Sequence, residues 1–383
     1  MYIRKKFVFR REIMSLVLYR KYRPQTFAEI IGQEHIVQTL TNAIASGMIS
    51  HAYLFSGARG TGKTTVARLL AKALNCQNRK EGEFEPCNNC SSCTEIREGR
   101  SMDLIEIDAA SHRGIDEVRE LKDGIRFVPT KSKYKVFIID ESHMLTREAF
   151  NALLKTLEEP PSHAIFVLAT TEIHKMIPTI VSRCQRFDFR KLTLPEIIKR
   201  LELISEKEKV KIERPALELI ALNAGGSIRD AESLLDQALT FASAFNRELR
   251  AEDIKNLLGL VEIELVSKFT DFLCQKKAME AINFLNEIIE KGLDLQEFSK
   301  SLINYLRQAL ILKITGANQG ENPLITGLTK EELARLENQA LAFKENELQN
   351  ILNLFLEAQN KMKYSPIPQL PLELGIIEAC GSF

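Results

Sequence analysis

An α/β domain with a parallel sheet, followed by a small helical region and then a larger all-helical one, is the architecture this sequence predicts. Three observations predict it. From about residue 14 to 193, short apolar runs alternate with amphipathic stretches at helical spacing, the rhythm of parallel strands joined by crossover helices. After LTLPEII the strand-like runs stop. From about residue 257 onward the pattern is longer helices rich in Leu, Ile and Phe.

The elements follow in order. HAYLFSG reads as a strand entering a Gly-rich turn, and TTVARLLAKAL as the helix that follows it. DLIEIDA, KVFIIDE and HAIFVLATT read as further short buried strands. Residues 194–256 read as about four short helices, broken by Pro215 and by Gly225-Gly226. LVSKFTDFLCQ, AINFLNEIIEKG and ELQNILNLFLEAQNKM are helices of the last region, and GANQGENP (316–323) is a loop within it. The sequence shows no internal repeat and no low-complexity segment. The expected regions are therefore 14–193, 194–256 and 257–383, with a cysteine-rich insertion at 76–93 inside the first. Residues 1–13, MYIRKKFVFRREI, read as a disordered arm or a start-site artefact ahead of Met14.

Composition sets limits on function. The chain has 383 residues, 45% of them hydrophobic, enough for two or three domains with cores. Lys and Arg number 52 and Asp and Glu 51, which excludes a general polyanion binder. Any nucleic-acid contact must come from local basic groups or from an assembly. There is no secretory signal pattern, and VFII and AIFVLA are too short to span a bilayer. A cytoplasmic location is expected, with no membrane partner.

GARGTGKTT, from Gly57 to Thr65, matches G-x-x-x-x-G-K-[ST] and lies between a strand and a helix, the context that a phosphate-binding loop requires. Gly57, Gly60, Thr61, Gly62 and Thr65 would let the backbone curl around phosphates at a helix N-terminus. Lys63 would reach the β- and γ-phosphates of ATP, and Thr64 would offer its hydroxyl to Mg²⁺. KVFIIDE ends on Asp140 and Glu141. Alone, two acids at a strand end are an ordinary surface pair. Beside a phosphate loop, Asp140 suits Mg²⁺ and Glu141 suits polarising the attacking water.

Cys76, Cys87, Cys90 and Cys93 are spaced C-x10-C-x2-C-x2-C. An x2 spacing aims two thiolates at one tetrahedral ion. Free thiols, a disulfide pair and an iron–sulfur cluster are the competing readings. The crowding, the compartment and the lack of an x3-C-P continuation count against them in turn. Zn²⁺ is the reading adopted. Four cysteine ligands leave no open coordination position, so the site is expected to be structural, folding an insertion too short for a core of its own. Cys184, Cys274 and Cys380 are expected to be ordinary core or surface thiols.

The order of these pieces resembles the clamp-loader branch of the AAA+ ATPases, and within it most closely the gamma/tau family of bacterial DNA polymerase III subunits. The motifs are YRKYRPQTFAEIIGQEHI (19–36), GARGTGKTTVARLLAKALNC (57–76), IIDESHML, FNALLKTLEEPP, LATTE, SRCQRF, GGSIRDAESLLDQA and SPIPQLPLELGIIEA. They run from about Met14 to about Ala379. One departure is Ser142 in DESH, where a small apolar residue is expected. The resemblance implies an AAA+ domain, a helical lid and a helical collar. It places Tyr22, Arg23 and Pro24 on the adenine side of the nucleotide. Thr171 would be a polar sensor near the γ-phosphate, and Arg229 a lid arginine sensing the same phosphate. Arg183 would be an arginine finger acting in trans, a role that can supply about 10³–10⁵ in rate.

The resemblance also implies a cysteine insertion of this kind, with weak grounds for a role in subunit contacts. The implied function is the ATP-hydrolysing subunit of the clamp loader that serves the DNA-directed DNA polymerase III holoenzyme, in a short gamma-like form, without polymerising itself. Implied partners are delta, delta-prime and further gamma/tau copies in a hetero-oligomer, the sliding clamp, and primed DNA. Arg113, Thr146 and Arg147 are candidate DNA contacts near helix starts. The alternatives are a non-hydrolysing, delta-prime-like stator and another AAA+ machine such as a Holliday-junction motor. The intact Lys63, Thr64, Asp140, Glu141 and Arg229 count against the first. The cysteine insertion and the C-terminal helices count against the second.

Overall fold

Strand β1 (Ala52–Gly57) shows how the sheet is built. Tyr53 and Phe55 enter one apolar layer while Ala52 and Leu54 enter the other, the two-residue alternation of a strand covered on both faces. The computed structural model describes residues 17–111, 124–125, 127–245, 248–257, 263–315 and 330–381. The arm 1–13, Arg113 and the loop 316–323 lie outside the described residues.

Ahead of β1 come α1 (Leu18–Lys21), a 3-10 turn at Phe27–Glu29 and α2 (Glu34–Ser46). After it come α3 (Lys63–Leu74), α4 (Ser91–Glu98), β2 (Leu104–Asp108) and β3 (Lys135–Asp140). A 3-10 turn at Ser142–Met144, α5 (Arg147–Glu158) and β4 (Ala164–Thr170) follow. A 3-10 turn at Ile173–Lys175, α6 (Pro178–Val181) and β5 (Gln185–Phe189) complete the α/β layer. The strand order is β2-β3-β4-β1-β5, with every described pairing parallel. Gly57, Asp108, Asp140 and Thr170 therefore finish along one edge. In open parallel sheets that carboxyl edge is where ligands bind.

Helices α2 and α3 set Ile36, Leu40, Val66 and Leu70 against Tyr53, Phe55 and Ile138. Helices α5 and α6 set Phe150, Leu153 and Ile180 against Leu54, Phe137 and Phe166 on the other face. The rings of Phe137 and Phe166 stack at 5.2 Å. Two expectations change. DLIEIDA was expected to be buried, but β2 is the sheet edge and its side chains are only partly covered. QRFDF gave no strand signal, yet it pairs with β1 over Gln185–Phe189.

Helices α7 (Leu194–Glu208), α8 (Arg214–Asn223) and α9 (Ile228–Phe245) come next. Pro215 sits in the first turn of α8, where its missing N–H costs nothing. Gly226, at φ 91°, turns the chain between α8 and α9 and accepts a bond from the Leu192 N–H at 3.1 Å.

The chain divides into two compact units, one ending at Leu249 and one starting at Arg250. The second unit holds α10 (Ala251–Leu257), α11 (Ile263–Cys274), α12 (Ala278–Glu290), α13 (Leu295–Thr315), α14 (Lys330–Ala342), α15 (Glu345–Met362) and α16 (Leu370–Cys380). Phe269, Phe298 and Phe355 meet edge to face in its core. A buried polar cluster crosses that core. Tyr305 donates to Gln339 Oε1 at 2.7 Å, and Gln339 donates to the Ser267 carbonyl at 2.9 Å. Among the described residues no helix is long and apolar enough to cross a membrane.

Candidate active site and metal centre

The loop after β1 needs its glycines for stated reasons. A Cβ on Gly57 would lie 2.4 Å from the Phe189 carbonyl of β5. Gly60, at φ 75°, would place a Cβ 1.9 Å from Ser227 Oγ in the turn before α9. Lys63 opens α3 and is buried. Its ammonium donates to the carbonyls of Gly57 at 2.7 Å and Ala58 at 2.8 Å, which fixes it inside the loop. Burial pulls its pKa below the ordinary lysine value, while Glu141 and Asp140 pull it back.

The end of β3 meets the start of α3. Thr64 Oγ1 donates to Asp140 Oδ2 at 2.7 Å. A hydroxyl and a carboxylate in contact are hard oxygen donors that fit Mg²⁺. Glu141 follows in the left-handed region, at φ 47° and ψ 43°, uncommon for a residue with a side chain and found where a site over-determines the backbone. Its N–H donates to Asp140 Oδ1 at 3.0 Å. Its Oε2 accepts from Thr171 twice, from the hydroxyl at 2.7 Å and the N–H at 3.2 Å. Ser142, the departure in DESH, is fully buried, and its hydroxyl donates to the Ala169 carbonyl at 3.0 Å. The serine is accommodated because β4 supplies an acceptor.

These groups open onto a cavity of about 530 Å³ lined by Lys63, Thr64, Asp140 and Glu141. Gly60, Thr61, Gly62 and Thr65 line it as well. Arg23 and Pro24 enter from the N-terminal segment and Arg229 from α9. The apolar lining of the cavity includes Tyr19, Ile30, Ile31 and Leu192, none of which the sequence motifs mark as nucleotide-binding. Three of the four lie within the quoted segment 19–36, so position in that segment was the available signal. The Arg229 guanidinium lies 4.8 Å from the Tyr19 ring centroid, and its hydrogen bond holds the tyrosine pKa below the usual value. Helix α9 also touches the phosphate loop directly, since the Ile228 N–H donates to the Gly60 carbonyl at 3.1 Å.

Four expected residues are not among the cavity lining. Gly57 lies under Lys63. Thr171 stands behind Glu141. Tyr22 is beside Lys21 and Lys207, and its carbonyl accepts a bond from Arg200. Arg183 follows α6 and pairs with Glu158 at 2.6 Å, also donating to the Thr179 carbonyl at 2.8 Å. Thr146 caps α5, its hydroxyl accepting from the Ala149 N–H at 3.3 Å, and Arg147 beside it is exposed.

The cysteines Cys76, Cys87, Cys90 and Cys93 converge, with their four sulfurs within 4.8 Å of one another. Cys87 and Cys93 sulfurs are 4.0 Å apart. Sulfurs at about 2.3 Å from one tetrahedral ion stand about 3.8 Å from each other, so the cluster fits zinc. None of the four is in a disulfide. Asn88, at φ 61°, makes the turn between Cys87 and Cys90. Backbone N–H groups of Cys87, Cys90 and Cys93 point at the sulfurs of Cys76, Cys87 and Cys90. Burial opposes ionisation of Cys87, but N–H groups of Asn89 and Cys90 outweigh it and bring its pKa down to about 6. Burial pushes the Cys93 thiol up. The insertion also grips the N-terminal segment, because Glu85 accepts from the N–H groups of Phe27 and Ala28, each at 2.9 Å. Cys184 and Cys274 are half-buried and Cys380 buried, none of them in this cluster.

Three family models match consecutive stretches. "DNA polymerase III, delta subunit" covers 32–193, "DNA polymerase III clamp loader subunit, ATPase lid domain" covers 196–244, and "DNA polymerase III subunits gamma and tau domain III" covers 249–383. DNA polymerase III subunit tau of Bacillus subtilis is 43% identical over 365 residues, 95% of this chain and 63% of that protein. The tau subunit of Escherichia coli is 37% identical over 363 residues, 95% of this chain and 55% of that protein. The chain thus spans less than two thirds of the length of these tau relatives. DNA polymerase III subunit gamma of Buchnera aphidicola from Acyrthosiphon pisum is 38% identical over 368 residues, 96% of this chain and 99% of that protein. With matches of this strength along nearly its whole length, the chain belongs to the gamma/tau family of DNA polymerase III subunits.

Proposed function

We propose that this chain binds and hydrolyses ATP as a subunit of a clamp loader, driving the placement of a sliding clamp on primed DNA in the cytoplasm. The observation that carries the reading is that Lys63, Thr64, Asp140 and Glu141 meet at one cavity, with Arg229 across it. The α3 N-terminus and Lys63 would bind the phosphates. Thr64 and Asp140 would hold Mg²⁺, which supplies charge neutralisation at the β- and γ-oxygens. Glu141 would take the proton of the attacking water, with Thr171 at its side. Arg23, Pro24 and the apolar wall would hold the base. Arg229 would couple the γ-phosphate to α9.

Arg183 would act in trans on a neighbouring subunit. Its pair with Glu158 is partly exposed, and such pairs contribute about 0–1 kcal/mol, so the arginine can exchange partners. Delta, delta-prime and further copies of this chain are the proposed neighbours, with Thr146 and Arg147 near DNA. The cysteines would hold zinc structurally, and polymerisation would belong to other subunits.

The test is ATP turnover by the full chain assembled with such subunits, with and without clamp and primed DNA. Lys63→Ala and Arg183→Ala should each lower stimulated turnover by about 100-fold or more. Lys63→Ala should also weaken nucleotide binding, whereas Arg183→Ala should leave it intact. An assembly that forms but shows no turnover would instead mark a stator. For the metal, elemental analysis should find about one zinc per chain, and Cys90→Ser should lose it.

A further inference from the structure

His143 has no part in the chemistry above, yet it is set deep beside it. Its side chain, in the 3-10 turn Ser142–Met144, is 5% exposed. Nδ1 lies 2.9 Å from Thr170 Oγ1 and 3.4 Å from Glu141 Oε2, and Nε2 lies 3.5 Å from Glu172 Oε1. The charged groups facing it are thus Glu141 on one side and Glu172 on the other. Glu172 is itself held by Lys175 at 2.8 Å and approached by His174 at 3.4 Å. Thr170 in turn accepts the Glu172 N–H at 3.0 Å. The imidazole is therefore anchored to the end of β4.

The two oxygens of Glu141 differ. Oε2 takes both bonds from Thr171 and faces His143, while Oε1 accepts no hydrogen bond among the described residues. The two Thr171 bonds hold the carboxylate, and the backbone beneath it is fixed as well. Glu141 is held in the left-handed region, its carbonyl accepts the Met144 N–H at 2.8 Å, and the next residue is tied to β4 through Ser142.

We propose that His143, bonded to Thr170 at the end of β4 and packed 3.4 Å from Glu141 Oε2, is a positioning residue for hydrolysis: it confines that oxygen beside Thr171 and leaves Oε1 as the oxygen that receives the proton of the attacking water. The inference rests on the hydrolytic reading of the same site. His143 touches neither nucleotide nor water in this scheme. It acts through Glu141, and a misplaced base of about 1 Å costs on the order of 100-fold in rate.

The experiment measures kcat, KM and the affinity for a non-hydrolysable ATP analogue, with thermal melting as a check on folding. It uses the full chain with its partner subunits on primed DNA. His143→Ala is expected to lower kcat by about 10–100-fold with analogue affinity within about twofold of wild type. His143→Asn, which keeps an amide N–H near the Nδ1 position, is expected to restore kcat to within about threefold of wild type. Unchanged kcat in His143→Ala, with wild-type turnover intact, would overturn this inference alone. So would an affinity loss matching the kcat loss, or His143→Asn no better than alanine in a protein that melts normally. No turnover in the wild-type assembly would remove the hydrolytic reading, and this inference with it.

Discussion

Arg200 shows how a single buried charge ties the first unit together. It sits on α7, 8% exposed at its side chain, and donates from Nε to Glu232 Oε1 on α9 at 3.0 Å. A second bond reaches the Tyr22 carbonyl near the N-terminus. Burial raises the Glu232 pKa although the guanidinium of Arg200 works against it, so the pair compensates desolvation rather than adding a surplus. Removing one partner leaves the other charge buried and unmatched. Arg200→Ala is expected to destabilise the chain by about 3 kcal/mol or more, and Arg200→Ala/Glu232→Leu by less. Urea denaturation of the three proteins checks the ordering.

Helix α7 carries the pH-dependent contact at the next scale. Glu196 in its first turn accepts the Thr193 N–H at 2.8 Å and is bracketed by Arg190 at 2.6 Å and 2.9 Å. The Arg190 guanidinium, with the Thr193 N–H helping, brings the Glu196 pKa from 4.5 down to about 2. A carboxyl depressed in the folded state binds its proton more readily when unfolded. Its stabilising effect is full above pH 4.5 and is lost as pH falls toward 2. Glu196→Gln is therefore expected to melt below wild type at pH 7, by an amount of the order of a helix cap, about 0.5–2 kcal/mol. The difference should close as pH approaches 2, and a gap that stays constant with pH would refute the assignment. Gly32 packs closely against the same carboxylate: a Cβ there would lie 3.0 Å from Glu196 Oε2 and 2.4 Å from Leu192 Cδ2.

At the scale of the molecule, the two units have separate cores. Residues of the sheet layers form two clusters, and Phe269, Phe298, Phe355 and their neighbours form a third confined to the second unit. A unit with its own core is able to fold alone. The fragment 250–383 is expected to melt cooperatively when expressed by itself, and the full chain to show two calorimetric transitions rather than one. Gln339→Leu should lower the fragment's transition and leave the other unchanged. It would remove the nearer of the two acceptors of the Tyr305 hydroxyl, leaving Ser267 Oγ at 3.1 Å, and the donor to the Ser267 carbonyl and Asp271, at about 1–3 kcal/mol for each buried group left unsatisfied.

Much of this was set by the sequence alone. The phosphate loop, Asp140 and Glu141, the four clustered cysteines and the change from strands to helices after residue 193 are local patterns, and local patterns survive reading in one dimension. Only the tertiary structure decided the rest. β5 is a strand because β1 supplies a partner, since QRFDF has too few apolar residues to declare itself. Tyr19, not Tyr22, reaches the cavity because α1 turns one ring toward Arg229 and leaves the other beside Lys21 and Lys207. Thr171 meets Glu141, and Thr170 meets His143, only because β3 and β4 are neighbours in the sheet with their ends at the same edge. Pairing and burial bring together residues far apart in the chain, and no periodicity of side chains records which ones.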